Sequence, residues 1–271
     1  AFTARLVITA SLVAFVCVAY LGARERTQKA VLDRVWAVMW MQQLPAFLCV
    51  CAVPTFARDF LSFRKEVRNG LYNPVCYVVA DFCVNAPFWF LLSLASCLPS
   101  FAILDMNFDN FTRVWLLVTV YVGWTDTAAQ LCGTLFRNTT LATMVFIVQT
   151  ILNMIFNGTL LAQIDNVTWA IRWLHYIVPS KYSFRSGVFL EFDGTKFSGF
   201  GPCVDPDTPQ ADRLQMACWG IDGLGVVASL HGAMFPVLSA RPTVHLDMAV
   251  ILGQLAVLKL VHVFCLRRMV R

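Results

Sequence analysis

Charge is what this sequence has least of. Of 271 residues, 14% are charged while 58% are hydrophobic, against roughly 25% charged in an ordinary soluble domain. A soluble globular fold is excluded. The runs 6–23, 35–57, 82–104 and 138–164 contain no Asp, Glu, Lys or Arg, and each is long enough to cross a hydrocarbon core about 30 Å thick. Also missing are a GxxxxGK[ST] phosphate loop, a GxGxxG turn and a GxSxG elbow, so no nucleotide site or serine nucleophile is visible. His175, His231, His245 and His262 share no metal-ligand spacing. The net charge of +5 comes from basic residues scattered at the ends of apolar runs, a pattern that suits lipid head groups and sets nucleic acid aside. The chain opens on Ala1, without an initiator Met or a signal-peptide pattern. It reads as a piece of a longer polypeptide.

The apolar runs predict an all-α polytopic membrane protein with six spans, at 6–22, 35–55, 75–104, 114–135, 141–162 and 246–266, and a large loop at 163–245. In the short loops and termini, nine Lys and Arg fall on the side holding both ends and five on the other, which predicts cytosolic termini and an extracytosolic large loop. The uncharged stretch 223–240 contains Gly223, Gly225, Gly232 and Pro236 and reads as a segment lying on or dipping into the outer surface.

Eight of the ten cysteines lie in or beside spans. Cys203 and Cys218 stand apart in the loop, a disulfide candidate in an oxidising compartment, the alternative being two separate surface thiols. Of the sequons, Asn110 and Asn166 fall outside the spans and on the outer side, as candidate glycan acceptors. Ionisable groups inside spans carry a functional hypothesis by default, and two stand out. Asp126 either hydrogen-bonds a neighbouring helix through Thr125, Thr127 or Gln130, or serves transport. Lys259 lies within snorkelling reach of the cytosolic head groups. Between the second and third spans, Phe56, Phe60, Phe63 and Val67 are spaced 4, 3 and 4, the apolar stripe of an amphipathic helix over 56–72. Such a helix is a passive anchor or a lever driven by a cytosolic partner.

The run SFRKEVRNGLYNPVCYVVADFCVNAP resembles the connecting helix and third span of the G subfamily of ATP-binding-cassette transporters, the white and breast-cancer-resistance-protein type, with Phe63, Lys65, Glu66, Gly70, Tyr72, Tyr77 and Pro87 matching in order. A second block over 152–192 is similar to that family's fifth span, its re-entrant segment and its W-x-x-Y-x-x-P-x-x-Y stretch, through Trp173, Tyr176, Pro179 and Tyr182. The resemblance implies the ABC-2 type membrane half of a transporter that dimerises with a second half-transporter, as homo- or heterodimer. ATP and Mg would belong to a nucleotide-binding domain absent from these residues, and this chain itself would carry no cofactor. Lys65 and Glu66 would be coupling residues, and Thr159-Leu160 would stand at the outer gate. Substrate would lie between the second and fifth spans against Gln43, Phe47, Ile151, Asn153 and Met154. The spacing 4, 3, 4 of Ile147, Ile151, Met154 and Gly158, and of Gln43, Phe47, Val50 and Pro54, puts each set on one helical face. Flat and flexible apolar groups suit a lipid, sterol or amphipathic xenobiotic. The expected setting is a multi-pass protein in contact with membrane lipid, the plasma membrane ahead of an internal one. The alternative is a polytopic membrane enzyme or channel without ATP coupling.

Overall fold

A computed structural model describes residues 2–71, 73–136, 138–160, 168–198, 219–241 and 243–270. The described residues are helical, with two isolated bridges (Thr27 with Ser198, Lys196 with Asp222) in place of strands. The helices are α1 (Phe2–Ala19), α2 (Val31–Leu48), α3 (Val53–Arg68), α4 (Pro74–Leu104), α5 (Phe111–Leu135), α6 (Thr139–Ile155), two single turns α7 (Trp169–Arg172) and α8 (Leu174–Ile177), α9 (Pro179–Phe192), α10 (Gly223–Ala233) and α11 (Val244–Val270).

Among the described residues, four stretches of helix are long and apolar enough to cross a membrane: Phe2–Ala19, Gln28–Arg68, Pro74–Leu104 and Val244–Met269. Their outward faces are oily. In α1 only Thr9, Val13 and Cys17, spaced four apart, are buried, while Val7, Ile8, Leu12, Phe15 and Val18 are exposed. Soluble helices present the reverse pattern. Here hydrocarbon is the solvent, and interior contacts come from packing and hydrogen bonds.

The centre of the bundle is α5, which packs on α2, α3, α4, α6, α9 and α11. Every residue from Tyr121 to Gln130 is buried, the mark of a helix enclosed on all sides. That enclosure lets a 25-residue helix carry Asp126, Gln130 and several threonines. Its polar groups meet protein and not lipid. Gly123 lets α4 cross closely, since a Cβ there would come within 2.8 Å of the Trp89 ring.

Pro45 inside α2 removes the amide that would bond the Met41 carbonyl. Ser96 Oγ on α4 donates to that carbonyl at 2.5 Å, the kind of repair that makes proline tolerable in a membrane helix.

Three expectations are revised. The connecting helix runs Val53–Arg68 and continues α2 through a 3-10 turn at Cys49–Ala52. It starts earlier than 56 because Pro54 sits in its first turn, and it stops before Gly70, whose φ of +74° is left-handed. Secondly, the segment taken as a large loop contains α9, a 14-residue helix with 12 buried residues, and α10, whose Val226, Val227 and Leu230 are buried. Thirdly, Lys259 does not snorkel. Its Nζ lies 3.3 Å from Asp81 Oδ2 and donates to Gln130 Oε1 at 2.8 Å.

Candidate functional site

Each of two adjacent helices leaves one stripe out of the core. On α6, Ala142, Phe146, Thr150 and Asn153 are buried, whereas Met144, Ile147, Val148 and Ile151 are exposed. On α2 the half-buried positions are Leu32, Trp36, Trp40, Leu44, Phe47 and Leu48, and of these Trp36, Trp40, Leu44 and Phe47 are spaced 4, 4 and 3, a single face of the helix. Since α2 packs on α6, the pair offers an aromatic stripe beside an aliphatic one.

The expected substrate residues divide between stripe and core. Ile151 is exposed, and Phe47 and Met154 are half-buried. Gln43 is buried and its Oε1 accepts from Tyr121 Oη at 2.9 Å. Asn153 is also buried, its Nδ2 donating to the Gln149 carbonyl at 3.0 Å. These two amides are turned into the bundle and occupied there. Trp36 and Trp40 were not singled out from the sequence, although their own 4, 4, 3 spacing with Leu44 and Phe47 was the available signal.

Beyond Ile155 the backbone folds back. Gly158 has φ +91°, and a Cβ there would meet Val237 Cβ at 2.7 Å. The Thr159 amide and hydroxyl both donate to Asn157 Oδ1, at 2.8 and 2.6 Å, so Thr159 is tied into a turn while Leu160 is exposed. The segment after α10 covers this end, with Phe235 edge-on to Trp36 at 6.1 Å between ring centroids. Behind α6 lies a separate, mainly apolar cavity of about 330 Å³, bounded by Trp124, Leu131, Leu152, Ile177, Pro179 and Leu258.

The W-x-x-Y-x-x-P-x-x-Y stretch leads into α9. Tyr182 Oη donates to the Tyr176 carbonyl at 2.7 Å, and His175 Nδ1 lies 2.8 Å from the Phe156 carbonyl. Lys181 Nζ sits 4.5 Å above the Tyr176 ring. Burial, with Arg185 close by, pulls the Lys181 amine down to about 8, and burial likewise lowers the His175 imidazole.

Buried polar systems brace these helices. In the middle of the bundle, Asp126 receives Arg5 from α1 at 3.3 Å and Trp89 Nε1 from α4 at 3.1 Å, while Asp81 Oδ1 accepts from Asn85 at 2.7 Å and Asp81 Oδ2 faces Lys259. The expected structural hydrogen bond of α5 is thus made by the Asp126 carboxylate itself. Asp81, overlooked in the sequence because it precedes the uncharged run, is the partner that holds Lys259. Where α1 ends and α2 begins, Arg34 bonds Glu191 at 2.6 Å and the carbonyls of Ala23 and Asp105 at 2.8 and 2.7 Å. Glu191 also accepts the Asn107 amide at 3.0 Å. On α11, Asp247 accepts both Arg185 guanidinium arms and the hydroxyls of Ser186 and Thr243.

Asn110, expected to carry a glycan, is buried with its Nδ2 donating to the Leu190 carbonyl at 2.9 Å. An acceptor amide has to stand in solvent, so this placement argues against the expectation. Asn166, Cys203, Cys218 and Tyr72 lie outside the described residues. On α3, Lys65 is exposed and Glu66 half-buried, and Phe60, Phe63 and Val67 pack on Tyr77, Val78, Val263 and Leu266.

Residues 1–192 match the ABC-2 type transporter family. The chain is similar to the ABC transporter G family member STR of Petunia hybrida, at 27% identity over 156 residues covering 58% of this chain and 18% of that protein. It therefore spans less than a fifth of that relative's length.

Proposed function

The chain belongs to the ABC-2 type transporter family, and from that premise we propose that it works as the membrane half of a G-type transporter moving a lipid, sterol or amphipathic xenobiotic. It acts as a dimer with a second half-transporter. The six-span reading adds α5, tolerated in the membrane because it is enclosed, and α6, whose 17 residues reach about 26 Å at 1.5 Å per residue. Both ends then face the cytosol, with the plasma membrane the proposed location. ATP and Mg are handled by a nucleotide-binding domain outside these 271 residues, and this chain contributes the pathway and the lever.

The observation that carries this reading is the exposed stripe on α6 beside the half-buried aromatic stripe on α2. A cargo held between two copies would meet Trp40, Leu44 and Phe47 on one wall and Ile147, Ile151 and Met154 on the other. These groups supply area and little hydrogen bonding, which selects for apolar surface and not for one functional group. Phe47→Ala should weaken the apparent affinity for a sterol or xenobiotic in substrate-stimulated ATPase of the full-length protein by roughly tenfold, with surface expression near wild type. A parallel fall in expression and transport would assign Phe47 to packing.

Glu66 tests the lever. It is half-buried on α3, and glutamine keeps its size and hydrogen-bonding oxygen while removing the charge. Because α3 continues α2 through the turn at Cys49–Ala52, a force applied to α3 would be passed on to the stripe bearing Phe47. Glu66→Gln is expected to leave the dimer intact while ATP hydrolysis proceeds with transport reduced several-fold. Wild-type coupling in this variant would make α3 a passive anchor.

A further inference from the structure

A cavity of about 380 Å³ lies between α3, the end of α5, the start of α6 and the last turns of α11. Its charged wall is made by Arg58 and Arg64, one and a half turns apart on α3, and no carboxylate is among its lining residues. Arg58 is exposed and Arg64 half-buried. The Arg64 Nε is buried without a hydrogen-bond partner among the described residues, a donor that ordinarily finds an acceptor. The first turn of α6 reaches the same space through Thr139, where the helix dipole is positive. The cavity is therefore built for an anion. It is not built for a small free one, because Phe60, Leu61, Leu135 and Phe136 form the rest of the wall and Leu61 is 62% exposed at the mouth.

We propose that this cavity binds the phosphate-bearing head group of an anionic glycerophospholipid. The guanidinium groups of Arg58 and Arg64 hold the phosphate oxygens, which suits the planar fork of arginine, and the glycerol and first acyl carbons lie along Phe60 and Leu61. The amphipathic α3 sits at the level where α11 ends in Arg267 and Arg268, the depth at which head groups are found. The lipid would bridge α3 to α5 and α6 at the turn joining the latter two, a contact separate from the cargo-facing stripes.

The test is native mass spectrometry of the purified full-length protein taken from mixed phosphatidylserine and phosphatidylcholine bilayers. Wild type should retain phosphatidylserine in preference, since phosphatidylcholine carries the same phosphate but brings a quaternary ammonium against the two arginines, and Arg64→Gln should reduce that preference about tenfold, the size of one lost charge-assisted bond. Arg58→Gln, at an exposed position that folding tolerates, should weaken it too, and Arg64→Lys should recover part. Arg68→Gln, exposed on the same helix but outside the cavity, should retain the full preference. Equal loss in Arg68→Gln would reduce the effect to diffuse surface charge and overturn the proposal. So would displacement of the lipid by inorganic phosphate alone, which would make the ligand a free anion, or the absence of any preference in the wild type.

Discussion

Glu191→Ala should destabilise the protein by about 3–5 kcal/mol, the usual cost of leaving one member of a buried ion pair without its partner. Arg34 is 1% exposed and has no route to water. Removing Glu191 would strand its Nε and also deprive the Asn107 amide of its acceptor. The loss spreads because this one carboxylate joins α9 to the start of α2 and to the turn after α4. Thermal unfolding of the solubilised full-length protein is the measurement. Replacing both Arg34 and Glu191 by methionine should cost less than Glu191→Ala alone, since an apolar pair leaves no isolated charge. If the double variant is the worse of the two, the ion pair contributes net stability well beyond what desolvation normally allows.

Arg185→Ala should have an effect of similar size, about 3–5 kcal/mol, and a larger one than Asp247→Ala. The asymmetry comes from burial. Asp247 is fully enclosed while the Arg185 side chain retains 18% exposure. Removing the arginine leaves a carboxylate in the interior with only the Ser186 and Thr243 hydroxyls. Removing the carboxylate leaves a guanidinium that can reach solvent and still lies 5.7 Å from the Tyr182 ring. Unfolding midpoints of the two single variants decide the order, and Asp247→Ala as the more damaging would mean that Arg185 is trapped.

The oily spans were legible because lipid-facing helices cannot carry charge, so α1, the α2–α3 rod, α4 and α11 stand out by composition alone. The amphipathic α3 was legible for the related reason that Phe60, Phe63 and Val67 repeat on one face. Less could be seen of α9. Its residues fell within the expected large loop, and only the fold shows that Arg34 and Asp247 take up the charges of Glu191 and Arg185 inside. At the site, the resemblance pointed to Phe47 and Ile151 and the helical spacing agreed with it, but neither could tell which face of α2 the neighbours cover. Gln43 was misplaced by a single position around the helix, and Tyr121, which occupies it, lies 78 residues away. Lys259 was misread for the same reason, its partner Asp81 being 178 residues distant.

The enclosure of α5 has a consequence for biogenesis. A segment holding Asp126 and Gln130 gains little by partitioning into lipid alone, as a carboxylate near a helix centre opposes insertion by about 2.5–3.5 kcal/mol. Arg5 and Trp89 precede it in the chain and are at hand to offset that cost during synthesis. Gln130 bonds Lys259 on α11, which emerges from the ribosome more than a hundred residues later. On the six-span reading α5 enters the bilayer with its polar face half satisfied and awaits the last helix. A chain truncated before α11 should therefore leave α5 exposed to the quality-control machinery that extracts polar segments, and degradation would begin at the centre of the bundle and not at its frayed end.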